Sequence, residues 1–439
     1  MAEASTAKTE AHGHRTGPLR KAIARMPDRP FAIQLWDGTR VEGTRPGPTL
    51  TLTDPAAVGR ILRSPGELGL GRAYATGELE VDDLDGIIAL LGRWKPEGMG
   101  LGAKLRMLAA ALWAAPSLRW KGAPPSELQP RGSAHTRERD ADAVRHHYDV
   151  SNDLFSLFLD ESMTYSCALF EGAATLEEAQ RVKLDVICQK LGLEPGMRFC
   201  DVGCGWGSLV IHAAREYGVE ATGITLSPEQ ASLATQRIAE AGLSGSAQAK
   251  VMDYRDLPAQ GFDAIASIGM VEHVGEVNID PYAASLANAM TPEGKILNHG
   301  IIRVPPEKDG VHKGGDFSNR YVFPDGELLN LSRTVLAFER AGLEVQHVEN
   351  LHANYAETLR HWSNRLDENL DEAERLVGPE RLRVWRLYLR AARNGFETGS
   401  TAVCQTVCTY PVTEPYTAEP IGLDQASPRR PRAVANDPR

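Results

Sequence analysis

The chain has 439 residues, enough for two domains with ample core, and its 42% hydrophobic and 24% charged content is ordinary for a globular protein. A net charge of −10 argues against a general nucleic-acid binder, which needs a basic domain. Six cysteines, at 167, 188, 200, 204, 404 and 408, show no paired C-x-x-C spacing, which argues against a disulfide framework or a zinc module. Cys404 and Cys408 share a face of an expected strand, but two thiols are a thin basis for a metal site and no metal is expected. No apolar run reaches the roughly 18–20 residues of a spanning helix. The start lacks the long apolar core of a signal peptide, so the expectation is a reduced, cytoplasmic protein.

In chain order, residues 1–16 are polar and poor in aromatics and should be disordered. Phe31 to Leu52 reads as short strands and turns, with Asp37-Gly38 as one turn. Pro55 to Arg63 and Leu84 to Leu91 read as helices, completing a small α+β domain over 17–95. Residues 96–142 hold an apolar helix at 101–120 and a linker rich in Pro, Ser and charge. Lys104, Arg106, Arg119 and Lys121 edge that helix, which also carries Trp113 and Trp120. Two roles remain open for it: lying on an anionic bilayer surface, or packing on protein between domains. From 143 to 411 strands and helices alternate, which predicts α/β architecture with a parallel or mostly parallel sheet. Strands are expected at 197–202, 219–225, 247–252, 263–268, 294–301, 345–351 and 401–410. Helices are expected at 176–191, 208–217, 228–242, 279–290, 327–341 and, with breaks, 355–398. The Pro-rich tail, 412–439, should be disordered.

The most informative segment is Phe199-Cys-Asp-Val-Gly-Cys-Gly-Trp-Gly207, followed by a helix from Ser208 to Tyr217. Glycines at such a strand–helix turn let the backbone approach a ligand, and the free N–H groups of the helix start face it. The spacing Asp201-x-Gly203-x-Gly205-x-Gly207 is that of S-adenosylmethionine (SAM) methyltransferases. A nicotinamide fingerprint would want glycine at 208, where Ser stands, and an acid ending the next strand, but Gly223-Ile-Thr-Leu-Ser227 has none.

Further motifs accompany the glycine turn. They include His147-Tyr-Asp-Val-Ser-Asn-Asp-Leu-Phe155, Met163-Thr-Tyr-Ser-Cys-Ala168, Asp253-Tyr-Arg-Asp-Leu257, Gly269-Met-Val-Glu-His-Val-Gly275, Leu297-Asn-His-Gly-Ile-Ile302, Arg320-Tyr-Val-Phe-Pro-Asp-Gly326 and Asn354-Tyr-Ala-Glu-Thr-Leu-Arg360. Over 143–411 this series resembles the cyclopropane-fatty-acid-phospholipid synthase family, which includes the mycolic acid cyclopropane synthases. Leu68-Gly-Leu-Gly-Arg-Ala-Tyr-Ala-Thr-Gly-Glu-Leu79 is similar to the N-terminal domain of the longer bacterial synthases.

The resemblance implies a class I SAM-dependent methyltransferase domain, with a Rossmann-like sheet of seven strands, behind the smaller N-terminal domain. It implies a cofactor site made of Tyr165 and Ser166, which close over SAM, Asp201, Gly203, Cys204, Gly205 and Gly207 at the turn, Thr225, Leu226 and Gln230 by the ribose, and Tyr254 and Arg255 by the adenine. Methyl transfer to an alkene leaves a carbocation, so ring closure needs a base shielded from bulk water. The resemblance implies bicarbonate as that base, held by Cys167, Glu272, His299, the main chain at Ile301, and Tyr355. A small ion with both an O–H donor and acceptor oxygens suits such a set chemically.

The implied reaction is methyl(ene) transfer from SAM to an unsaturated phospholipid acyl chain, most simply giving a cyclopropane. A methylene- or methyl-branched product, a soluble metabolite as methyl acceptor, and a catalytically silent lipid-binding protein are the alternatives. The implied setting is peripheral, on an anionic inner membrane face, as a possible homodimer. Two positions depart from the family pattern. Ala392 replaces a late-helix cysteine of some members, which puts a covalent cysteine mechanism in doubt. Gly300 follows His299 where relatives often carry Thr, which would widen the site or alter proton removal.

Overall fold

The structure is a computed structural model that describes residues 15–94, 100–114, 123–128, 135–140, 143, 152–304, 312–313 and 316–411. The tails expected to be disordered at 1–14 and 412–439, the motif positions 147–151, and Arg119, Trp120 and Lys121 lie outside the described residues.

The N-terminal unit runs α1 (15–24), β1 (Ala32–Gln34), β2 (Arg40–Val41), β3 (Thr49–Leu52), α2 (Ala56–Arg63), α3 (Glu67–Ala75), β4 (Leu79–Val81), α4 (Leu84–Arg93) and α5 (Leu101–Ala114). Its strands order as β2-β1-β3-β4. β1 and β2 form a hairpin through Gly38, whose φ of +83° suits a glycine. Leu19, Phe31, Leu35, Leu50, Tyr74, Leu79 and Ile87 fill the core, and Ala110, Ala111 and Ala114 of α5 close one side of it. The α1 helix starts at residue 15, inside the stretch expected to be disordered.

The larger unit runs α6 (Asn152–Phe158), α7 (Leu176–Leu191), β5 (Arg198–Val202), α8 (Ser208–Tyr217), β6 (Glu220–Thr225), α9 (Pro228–Glu240), β7 (Ala247–Val251), β8 (Phe262–Ile268), α10 (Val271–Ala289), β9 (Met290–Arg303), β10 (His312–Lys313), α11 (Asp316–Tyr321), β11 (Glu327–Leu328), α12 (Leu331–Arg340), β12 (Glu344–Asn350), α13 (His352–Glu368), α14 (Leu370–Glu397) and β13 (Thr401–Thr409). The seven-stranded sheet orders as β12-β13-β9-β8-β5-β6-β7. β13 is antiparallel to both neighbours, and the pairs from β9 through β7 are parallel. The chain reverses its direction of travel across the sheet at β5, between β6 and β8. In open α/β sheets the ligand crevice lies at such a point, outside the carboxyl ends of the strands.

The seven expected strands all form, and most helices sit within a few residues of their expected bounds. The helix expected at 279–290 instead begins at Val271. Gly275 (φ 72°, ψ 170°) breaks it after one turn, so the turn carrying Glu272 and His273 is aimed independently of the rest. The helix expected from 327 starts at Leu331, because 327–328 pair with β10.

The two units are tied by buried polar contacts. Arg383 of α14 donates to the main-chain carbonyls of Tyr74 (2.6 Å) and Leu79 (2.9 Å). Glu127 receives Arg72 of α3 at 2.6 Å and the hydroxyl of Tyr321 at 3.2 Å. Residues 137–140, read as linker, form a short helix whose Arg139 pairs with Asp325 and whose Asp140 receives Arg255.

Candidate active site

A cavity of about 570 Å³ opens at the carboxyl ends of β5, β6, β8 and β9, a size typical of small-molecule sites. Eleven of the twelve expected cofactor residues line it: Tyr165, Ser166, Asp201, Gly203, Cys204, Gly205, Thr225, Leu226, Gln230, Tyr254 and Arg255. Gly207 does not. It takes φ +82° to start α8, and a Cβ there would stand 3.1 Å from Ala234 Cβ, so its role is close helix packing. At Gly205 (φ +51°) a Cβ would meet no protein atom within 4 Å. Its open side is the cavity.

The polar groups around this floor suit a nucleoside with an amino-acid tail. Asp201, at the end of β5, is buried and its Oδ1 has no hydrogen-bond partner among the described residues. Burial raises its pKa to about 7, and the nearby Lys183 partly opposes the rise. Thr225 Oγ1 donates to Gln230 Oε1 at 2.7 Å, which fixes the amide at the edge where a ribose would lie. Ser227 caps α9 through the Gln230 N–H, with Pro228 in the first turn. The guanidinium of Arg255 lies 4.9 Å from the centre of the Tyr254 ring and is held by Asp253 (2.8 Å) and Asp140 (2.6 Å). This aromatic–cation edge is a flat platform for a base.

Deeper in, Glu272, His299, Ile301 and Tyr355 line the same cavity. Glu272 Oε1 accepts the Ile301 N–H at 2.5 Å, while Oε2 is buried without a partner among the described residues. Burial holds its pKa at about 7, against which the Ile301 hydrogen bond works only in part. His299 sits on β9, where Gln405 of the neighbouring β13 reaches its Nδ1 at 3.2 Å. With the Gln405 amide donating, Nδ1 accepts and the proton sits on Nε2, which is buried and has no partner among the described residues. Burial, with Lys183 and Lys190 adding to it, drops the His299 pKa to about 3, so the ring is neutral. Tyr355, from the first turn of α13, packs its ring on Phe396 with centroids 4.6 Å apart. The enclosure thus offers a neutral imidazole donor and a carboxyl poised near neutrality, walled by apolar groups.

Cys167 does not line the cavity. It is fully buried, its thiol points at the main-chain carbonyls of Ala168 (3.3 Å) and Leu351 (3.9 Å), and burial pushes its pKa far up. Gly300 does not widen the site. A Cβ there would lie 2.2 Å from Val271 Cγ2, because β9 alternates and residue 300 faces away from His299. Ala392 does line the cavity, beside Gly395 and Phe396 of α14. Sequence reasoning missed Lys183, Trp206, Met270 and His273, all of which line it. Trp206, inside the glycine motif, and Met270 and His273, inside the Gly269–Gly275 motif, had a signal in the sequence, whereas Lys183 had none; Trp206 Nε1 donates to Asn152 Oδ1 at 2.8 Å. Among the described residues no group of three or more His, Cys, Asp and Glu is placed to hold a metal ion.

A profile of the mycolic acid cyclopropane synthetase family matches residues 135–406. A probable fatty acid methyltransferase of Pseudomonas putida is 39% identical over 392 residues, covering 88% of this chain and 93% of the relative. The cyclopropane-fatty-acyl-phospholipid synthase of Escherichia coli K12 is 34% identical over 370 residues, covering 84% and 90%. Among solved structures, a mycolic acid cyclopropane synthase complexed with SAH and CTAB superposes with a TM-score of 0.58 at 33% identity, covering 61% of this chain and 97% of that one. With the fold, the glycine turn and the cavity, these matches place the chain in the mycolic acid cyclopropane synthetase family, as a SAM-dependent methyltransferase.

Proposed function

We propose that the chain transfers a methyl(ene) group from SAM to the double bond of an unsaturated phospholipid acyl chain and closes a cyclopropane. The observation that carries this reading is a pair of buried atoms in one enclosure, Glu272 Oε2 and His299 Nε2, that have no partner among the described residues. One is an acceptor and the other a donor, as a small hydrogen-bonding oxyanion such as bicarbonate needs. Bicarbonate would supply the base for a proton of the transferred methyl group. Glu272 and His299 would orient it, the Tyr355 hydroxyl would face it, and the apolar walls would keep bulk water from the cation. Cys167 could contribute through its main chain, since its thiol faces elsewhere.

SAM supplies the electrophilic methyl group. Asp201 and Ser166 would hold its methionyl end, Gln230 positioned by Thr225 its ribose, and Tyr254 with Arg255 its adenine. Incubation with SAM and vesicles of mono-unsaturated phospholipid, followed by mass spectrometry of the acyl chains, tests the reading. Acyl chains heavier by one CH2 and inert to hydrogenation support it; unchanged chains oppose it. A product equally heavier that takes up hydrogen marks the second reading, a methylene-branched chain or a methyl-branched chain that is still unsaturated for want of a reductant, which the 39% relative named as a fatty acid methyltransferase favours.

Access to a bilayer-embedded double bond would come through α5. Leu101, Leu105, Leu108 and Leu112 are all exposed and recur at helical spacing, with Trp113 beside them at 65% exposure. The opposite face, Ala110, Ala111 and Ala114, packs into the N-terminal core. Lys104 and Arg106 are exposed near the stripe. An apolar ridge with basic flanks suits the interface of an anionic membrane. Among the described residues no helix is long and apolar enough to cross one.

A further inference from the structure

One buried charge in the cavity has no place in the scheme above. Lys183, on α7, is 2% exposed and lines the cavity wall beside Ser166 and Asp201. A buried ammonium without a counter-charge is costly, so lysines are seldom kept inside without a use. Its Nζ donates to Ser166 Oγ at 2.9 Å, which among the described residues leaves two of its three N–H groups for a ligand.

Asp201 can carry the complementary charge in the same lining, yet no ion pair within 4.0 Å joins it to Lys183, and its Oδ1 lacks a partner among the described residues. Had the two groups touched, they would have satisfied each other. Both lining one cavity but more than 4.0 Å apart, they offer opposite charges to the ammonium and carboxylate of an α-amino acid, which a single carbon separates. Burial lowers the Lys183 pKa to about 8, and Asp160, itself buried and held by the N–H groups of Ser162 and Thr164, works against that fall and favours the ammonium form.

We propose that Lys183 is the binding residue for the methionyl carboxylate of the cofactor, acting with Ser166, while Asp201 receives the methionyl ammonium. This rests on the SAM-dependent reading and deepens it. It assigns the buried lysine as the group by which the site tells an intact amino-acid tail from a truncated one.

The test uses calorimetry on the full chain with three probes: SAM, decarboxylated SAM, which keeps the amine but lacks the carboxylate, and 5′-methylthioadenosine, which lacks the whole tail. The wild-type chain should bind SAM at least about 30-fold more tightly than decarboxylated SAM, the scale of a charge-assisted hydrogen bond. Lys183→Met should lose about that factor toward SAM while binding decarboxylated SAM and methylthioadenosine within about threefold of wild type. Lys183→Arg should recover part of the SAM affinity. A wild-type chain that binds SAM and decarboxylated SAM equally well overturns the inference, and this arm needs no variant to fold. A Lys183→Met chain that weakens toward all three probes alike also overturns it, by making the lysine a structural support. If wild type binds none of the three, the cofactor reading itself falls and takes the inference with it.

Discussion

Glu272→Gln should stabilise the ligand-free chain, and only above the acid range. Glu272 is buried, keeps one hydrogen bond from the Ile301 N–H at 2.5 Å, and leaves Oε2 without a partner among the described residues. Burial raises its pKa from an ordinary 4.5 to about 7. A carboxyl whose pKa is raised on folding favours the folded state fully below its unfolded pKa, and that advantage is lost as pH rises through the folded one. The interval from 4.5 to about 7, at about 1.36 kcal/mol per pH unit, is an upper bound of about 3 kcal/mol lost by pH 8. Gln keeps the oxygen that accepts from Ile301 and carries no charge to desolvate. At pH 8 the Gln variant should therefore unfold about 5 °C or more above wild type, since about 1 kcal/mol moves a domain of this size by about 2–4 °C. At pH 5 the gap should nearly close. Thermal melts of both proteins at the two pH values read this directly, and other titrating groups cancel in the difference. A gap of the same size at both pH values, or a Gln variant that is less stable at pH 8, would refute a destabilising buried carboxylate at this position.

The other expectations concern binding and turnover. Gly205→Val would place a side chain in the open cavity and strain a left-handed turn, so SAM affinity should drop by more than about 100-fold while the melting curve shifts by a few degrees; calorimetry showing intact affinity would remove the turn from the site. Glu272→Ala should abolish product yet leave SAM affinity nearly intact, and depletion of bicarbonate should slow the wild-type enzyme reversibly; a fully active variant would falsify the assignment of the base. Replacing Leu105, Leu108 and Leu112 with Gln should weaken sedimentation with anionic vesicles and turnover on them but spare SAM binding; unchanged sedimentation would make another surface the docking face. Ala392→Cys should leave the rate within about twofold, since no thiol takes part in the proposed chemistry.

The features that could be read from the sequence were those encoded by local pattern. The glycine turn announced itself because three positions take positive φ and the helix begins at once after them. The alternation of strands and helices gave the parallel sheet, and the apolar repeat of 101–112 gave α5. What was hidden depends on contacts between distant segments. Lys183 reads as one more polar residue on a helix, and only the packing of α7 against the end of β5 makes it a buried cavity wall. The first turn of α10 was masked by Gly275, which interrupts the helical pattern that aims Glu272. Gly300 looked like extra room in the site, but β9 turns that position toward Val271, and the space is filled. Cys167 fits the motif by type, but nothing local in the sequence says which way its thiol turns.

Ring closure in the proposed reaction requires the base to remove a proton from the methyl group that has just been transferred. SAM carrying a trideuterated methyl group, supplied with vesicles of mono-unsaturated phospholipid, tests it in one mass spectrum. Proton loss from that methyl group gives an acyl product that retains two of the three deuteriums and resists hydrogenation. A product that retains all three deuteriums would show that the proton leaves a carbon of the chain instead, and would contradict it.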